Sequence, residues 1–168
     1  MGFQTILVSL DESDLGASVF QQALDIAIAC QAQLHLLHAI QPPEQPSSVG
    51  AEGMLGGLSD LGTYPMFADP AFWEAQAQVQ VDRTETWLQR YEAQAQQAGV
   101  VTAHSCPVGE PGAIICDVAK TQSTDLIVMG RRGLSGLAEA FMGSVSNYVV
   151  HHAPCSVLVV QTPSPAQP

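Results

Sequence analysis

The chain has 168 residues, enough for one domain with a full hydrophobic core, and its 46% hydrophobic and 12% charged content is globular rather than disordered. Five basic residues against sixteen acidic ones give a formal charge of −11, which excludes the basic stripe that a nucleic-acid surface requires. No apolar run approaches the ~20 residues that span a bilayer, so no membrane partner is expected.

In chain order, Gln4 to Asp11 (QTILVSLD) reads as a buried strand, with Ser13 or Asp14 placed to cap the helix that follows. From Leu15 to Cys30, Val19, Ala23, Ile26, Ala27 and Cys30 recur at helical spacing. Ala32 to Ile40 (AQLHLLHAI) is a second strand. The stretch at about 41–71 changes texture, becomes rich in proline and glycine, and reads as a long loop or flap. Phe72 to Ala98 is a long helix on which Trp73, Ala77, Val81, Thr84, Leu88, Tyr91 and Ala95 repeat every three to four residues, and Gly99 supplies its stop. Val100 to Gly109 is a third strand and Glu110 to Thr121 a third helix. Thr124 to Gly130 (TDLIVMG) is a fourth strand whose continuous apolar run suits burial on both faces. A turn through Leu134 to Ala140 precedes a helix from Gly143 to His152. Pro154 ends that helix, Cys155 to Gln161 is a fifth strand, and 163–168 is a flexible tail.

Strictly alternating strands and helices predict one doubly wound α/β domain over residues 1–162: a five-stranded parallel sheet with helices on both faces, Rossmann-like, joined by right-handed crossovers. Cys30, Cys106, Cys116 and Cys155 form no C-x-x-C pair and match no zinc spacing. They read as reduced, mostly buried thiols, and with no basic leader at the start the expected compartment is the cytoplasm. His35 and His38 read as core or sheet-face histidines, and His151 and His152 as a favourable helix end.

Ligands of open α/β sheets bind beyond the carboxyl ends of the strands. The places to look are therefore Ser9-Leu10-Asp11, Ala39-Ile40, Pro107-Val108-Gly109 and Met129-Gly130. Gly130 and Gly133 are expected to supply positive φ and close backbone approach. Gly143-Ser144 marks a helix N-terminus, where unpaired N–H groups and a partial positive charge receive anions. Ser144 and Ser146 would add hydroxyls, and Arg131 and Arg132 charge at the mouth. The combination suits a polyphosphate. It is no Walker loop, for no Gly-Lys-Ser/Thr occurs, and no dinucleotide fingerprint, for the first strand ends in SLDESD without glycine. Asp11 can equally cap the first helix.

The spacing Gly130-x2-Gly133-x9-Gly143-Ser144, with ILVSLDESDLGASVFQQALDIA, LHLLHAI, DLIVMGRRGLSGL and MGSVSNYVVHHAPCSVLVV, resembles the universal stress protein family along nearly the whole chain. The resemblance implies an adenine nucleotide α-hydrolase-like fold that binds ATP with Mg or Mn and pairs as a homodimer through the fifth strand. It places Asp11 near the adenosine and phosphates as the metal ligand, and the backbone around Ala39 against adenine. Gly130, Arg132 and Gly133 would hold ribose and phosphate. Gly143, Ser144, Val145 and Ser146 would clasp the phosphates, with Ser9, Leu10 and Met129 bordering the pocket. The function implied is a nucleotide-dependent regulator or switch with slow hydrolysis at most. The alternatives are a dimeric scaffold without nucleotide and an adenine-nucleotide-using enzyme of the same superfamily. Two departures stand out: the loop after Ile40 is longer than in compact members, and Ser9-Leu10 precedes Asp11 where others carry a proline or small residue.

Overall fold

A computed structural model describes residues 2–41, 70–131 and 142–161, the side chains of Pro70, Phe72 and Trp73 excepted. The elements are β1 (Thr5–Ser9), α1 (Asp14–Cys30), β2 (Gln33–Leu37), α2 (Pro70–Gln97), β3 (Thr102–Ser105), α3 (Pro111–Thr121), β4 (Leu126–Gly130), α4 (Ser144–His152) and β5 (Ser156–Val160). Residues 42–69, which hold nearly all of the expected flap, the 134–140 turn, Arg132, Gly133 and the 163–168 tail lie outside the described residues.

The most apolar strands take the middle of the sheet. Ile6, Leu7 and Val8 of β1 and Ile127 and Val128 of β4 are wholly buried, as strands covered on both faces must be. The order is β3-β2-β1-β4-β5 and all pairings are parallel, so the five-stranded, doubly wound α/β reading is observed. Alternate side chains feed two cores. Ile6, Val8, Leu34, Leu36 and Val128 meet Val19, Phe20, Ala23 and Ala27 of α1 and Leu88 and Ala95 of α2. Leu7, Leu37, Ile127 and Met129 meet Ile115 and Ala119 of α3 and Val149 of α4 on the opposite face.

Helix ends follow local chemistry. α2 begins at Pro70, inside the stretch read as loop, because proline's fixed φ suits a first helical turn. Gly99 takes φ 81° and ends that helix as expected. Ser13 is the N-cap of α1, yet its side chain makes no capping bond; its hydroxyl is drawn to Asp11 instead. Tyr91 packs as its place in the helical repeat predicts: Phe20–Tyr91 and Tyr91–Trp87 ring centroids lie 4.7 and 5.4 Å apart. The four thiols are free but only partly buried, a correction to the core reading, since Cys30 sits in the last turn of α1 and Cys155 just before an edge strand. Among the described residues no helix is long and apolar enough to cross a membrane.

Candidate functional site

Successive strands step one way across the sheet from β1 to β3, then the other way through β4 and β5. Between the carboxyl ends of β1 and β4 this reversal opens a crevice, the general ligand position of open α/β sheets. A cleft of about 330 Å³ lies there. Ser9, Leu10 and Asp11 reach it from the end of β1, Ala39 from beyond β2, and Met129 and Gly130 from the end of β4. Gly143, Ser144, Val145 and Ser146 reach it from the start of α4. Arg132 and Gly133 lie outside the described residues. A larger cleft, about 430 Å³, sits at the opposite end of the sheet; its lining from Gln4, Gln31, Gln33 and their neighbours includes no titratable side chain.

Gly143 is the N-cap of α4 with an extended backbone, φ −61° and ψ 159°. The first bond of the helical ladder runs from the Asn147 N–H to the Gly143 carbonyl at 2.9 Å. The N–H groups of Ser144, Val145 and Ser146 therefore precede the ladder and stand at the positive end of the helix. The Ser146 hydroxyl donates back to the Gly143 carbonyl at 3.0 Å, so this residue offers the cleft its N–H rather than its side-chain proton. The Ser144 side chain is exposed.

Across the cleft, Asp11 Oδ1 accepts from the Ser13 N–H at 3.2 Å and from the Ser13 hydroxyl. Both bonds use one oxygen, so Asp11 organises the turn into α1 without committing Oδ2 to it. The turn is tight: a Cβ on Gly16 would lie 2.4 Å from the Asp11 carbonyl oxygen. Gly130 corrects an expectation. As the last residue of β4, opposite Val160, it does not take positive φ. Its missing Cβ makes room for Leu15 and Val19, which a Cβ would meet at 3.0 and 3.3 Å. Arg131 reaches along the sheet edge, where its guanidinium donates to Gln161 Oε1 at 3.2 Å.

His38, Gln41, Gln80, Glu110 and Pro111 also line the cleft and carried no sequence signal for it. β2 stops at Leu37, so His38, expected within the strand, emerges at the rim. Its Nδ1 lies 2.8 Å from the Leu10 carbonyl, and its ring stands edge-on to Trp87 at 5.5 Å. Gln80 comes from α2, far along the chain from both Ala39 and Met129, where no spacing could reveal it. Glu110 is the N-cap of α3 and makes no side-chain capping bond. No lysine or arginine among the described residues lines the cleft, and no group of three or more His, Cys, Asp or Glu among them could hold a metal. Burial raises the Cys106, Cys116 and Cys155 thiols, with the Glu85 carboxylate adding to the first, so none is an activated nucleophile at neutral pH. The cleft thus offers backbone donors at one end, a carboxylate opposite, and an open strand edge between β1 and β2, which suits an anionic ligand with a flat polar ring.

Comparison with known proteins agrees with that topology. Residues 2–161 match the Universal stress protein family. Universal stress protein Sll1388 from Synechocystis sp. is 40% identical over 167 residues, covering 96% of this chain and 99% of its own. The structure of UspA from Lactobacillus plantarum superposes with a TM-score of 0.69 at 25% identity, over 95% of this chain and 99% of that one. A universal stress protein solved in complex with cAMP superposes with a TM-score of 0.60 at 23% identity, over 96% and 98% of the two chains. Another, from Archaeoglobus fulgidus in complex with dAMP, gives 0.55 at 18% identity, over 95% and 98%. Matched along nearly its whole length in sequence and in fold, this chain belongs to the universal stress protein family.

Proposed function

We propose that this protein binds an adenine nucleotide, ATP with Mg or Mn, in the cleft between β1 and β4 and acts as a nucleotide-dependent regulator or switch in stress response. One observation carries the reading. The pre-ladder N–H groups of Ser144, Val145 and Ser146 face a cleft whose other wall is the backbone edge at Ala39. The first suits phosphate oxygens; the second suits the hydrogen-bonding edge of a purine. The cAMP and dAMP complexes of family members support an adenine ligand. Asp11 fits the metal, because magnesium is held by one or two carboxylates together with substrate phosphates rather than by an all-protein cage. The ion would neutralise phosphate charge beside an acidic cleft. Efficient phosphoryl transfer also needs a group that orients the attacking water and a cation at the transferred phosphoryl. Among the described residues Gln80 and Glu110 line the cleft where they could serve the first role, but no lysine or arginine lines it to serve the second, which favours slow hydrolysis at most. The partly buried apolar strand β5 at the sheet edge supports a homodimer paired through it. Four free thiols fit the reducing cytoplasm.

Thermal unfolding with Mg-ATP, AMP and cAMP, beside Gly143→Asp, tests the reading. A ligand at ~100 times its Kd adds roughly 2.7 kcal/mol of stability, a shift of several degrees for a domain of this size. The expected result is such a shift with Mg-ATP, lost in the variant. No shift with any adenine nucleotide, and none released when the purified protein is denatured, would refute it.

A further inference from the structure

In a parallel ladder each residue bonds through its N–H and its C=O to two residues of the neighbouring strand that lie two apart. β1 and β2 keep that rule to the rim of the cleft. Ser9 stands opposite Leu37, and the Leu10 N–H donates to the Leu37 carbonyl at 2.9 Å. The next rung would run from the Ala39 N–H to the Leu10 carbonyl, and it is absent. The Leu10 carbonyl accepts instead from His38 Nδ1 at 2.8 Å.

On its other side the chain goes on pairing toward β3. The His38 N–H donates to the Ser105 carbonyl at 3.2 Å and the Ile40 N–H to the Pro107 carbonyl at 2.9 Å, with a bridge between Ile40 and Val108. Backbone groups alternate in direction along an extended chain. Those of Ala39 therefore point away from β3, toward the space that β1 vacates as it turns into α1. Among the described residues the Ala39 N–H and C=O have no hydrogen bond, and Ala39 lines the cleft.

We propose that the His38 imidazole replaces this backbone rung, so that the N–H and C=O of Ala39 stay available to a ligand's purine edge. His38 is on this account a positioning residue, acting through Leu10 and Ala39. Imidazole suits the task. A carbonyl only accepts, so Nδ1 carries the proton and donates. Trp87, braced by Tyr91, holds the ring edge-on. The donor and acceptor of Ala39 match N1 and the 6-amino group of adenine, and they mismatch a 6-oxo purine, whose groups are reversed. This use of the freed rung rests on the nucleotide reading of the cleft; the replacement itself does not.

Residue-resolved amide exchange separates the two. In the ligand-free protein the Ala39 amide should exchange at least about tenfold faster than that of Ile40, and Mg-ATP should slow it. In His38→Ala the Ala39 N–H closes on the Leu10 carbonyl, becomes protected without nucleotide, and the Kd for ATP rises about tenfold, the scale of one hydrogen bond. His38→Asn, whose amide can donate to the same carbonyl, should keep the Kd within about threefold of the parent. Equal protection of Ala39 and Ile40 in the ligand-free parent overturns the proposal even if the variant fails to fold. So does an unchanged Ala39 amide in a folded His38→Ala. Failure of every adenine nucleotide to bind would refute the nucleotide reading alone, while the ligand-free exchange contrast would still decide the role of His38.

Discussion

Asp11 shows how one side chain can hold two jobs. Its Oδ1 closes the turn into α1 through Ser13, a purely local task. The negative charge is surplus to that task, because a neutral amide oxygen accepts the same bonds. Asp11→Asn should therefore leave the free energy of urea unfolding within about 1 kcal/mol of the parent. ATP affinity in the variant should no longer differ between magnesium and chelator, as titration calorimetry would show. Parent-like magnesium dependence would remove Asp11 from the metal site. Gly16 poses the opposite case. Alanine is ordinarily the better helix former, but here its methyl would lie 2.4 Å from the Asp11 carbonyl oxygen. We expect Gly16→Ala to destabilise by about 2 kcal/mol, in the range of overpacked sites, measured by the same unfolding. A variant as stable as the parent would mean that the turn yields freely.

At the scale of elements, β2 and β3 carry a pH signature. His35 hydrogen-bonds Ser105 Oγ at 2.8 Å, and burial first, then the charge of His104, lowers its pKa below 6.5. Between that lowered value and 6.5 the unfolded chain binds more protons than the folded one, so stability rises with pH. The penalty is absent above about pH 6.5 and grows as the pH falls toward the folded-state value. His35→Gln should flatten this part of the stability curve, measured by urea unfolding at closely spaced pH values. A slope equal to the parent's would assign the effect to other groups.

The elements themselves were legible because continuous apolar runs and helical periodicity are local properties. Their ends were less so, since an end depends on what lies beside it. β2 stops at Leu37 because β1 turns away, and that decides whether His38 sits in a sheet or on a cleft. Gly130 carried a glycine's ambiguity: the letter shows that a Cβ is unwelcome, but Leu15 and Val19 rather than backbone angle are the reason. The helix-start residues of the cleft were legible from their glycine spacing. Gln80 and Glu110 were not, because only tertiary packing brings them there.

For the whole molecule, the edge strand and the net charge pull in different directions. Ser156–Val160 leaves Val157, Leu158 and Val159 only partly covered at the rim of the sheet. Two copies each of charge −11 repel at long range, and salt screens that repulsion over about 10 Å at 0.1 M. The expected species at physiological salt is a particle of two 17.7 kDa chains. Val159→Lys should shift it toward monomer in sedimentation equilibrium. A monomeric parent at micromolar concentration would discard the β5 pairing.

Helix α2 touches the cleft and its rim along one stripe: Gln80 lines the cleft, Arg83 pairs with Glu12 at 3.0 Å one residue after Asp11, and Trp87 abuts His38. Deeper along the same helix, Leu88 is wholly buried and would be the fulcrum of any tilt. From Leu88 back to Pro70 the helix runs roughly 27 Å at 1.5 Å per residue. By that length a tilt of about 5° at the fulcrum would carry the Pro70 end through roughly 2 Å. A displacement of the cleft wall on ATP binding would be magnified along that arm, and a spin label on Ala75 would read it with and without ATP; an unchanged label environment would mean that α2 stays fixed.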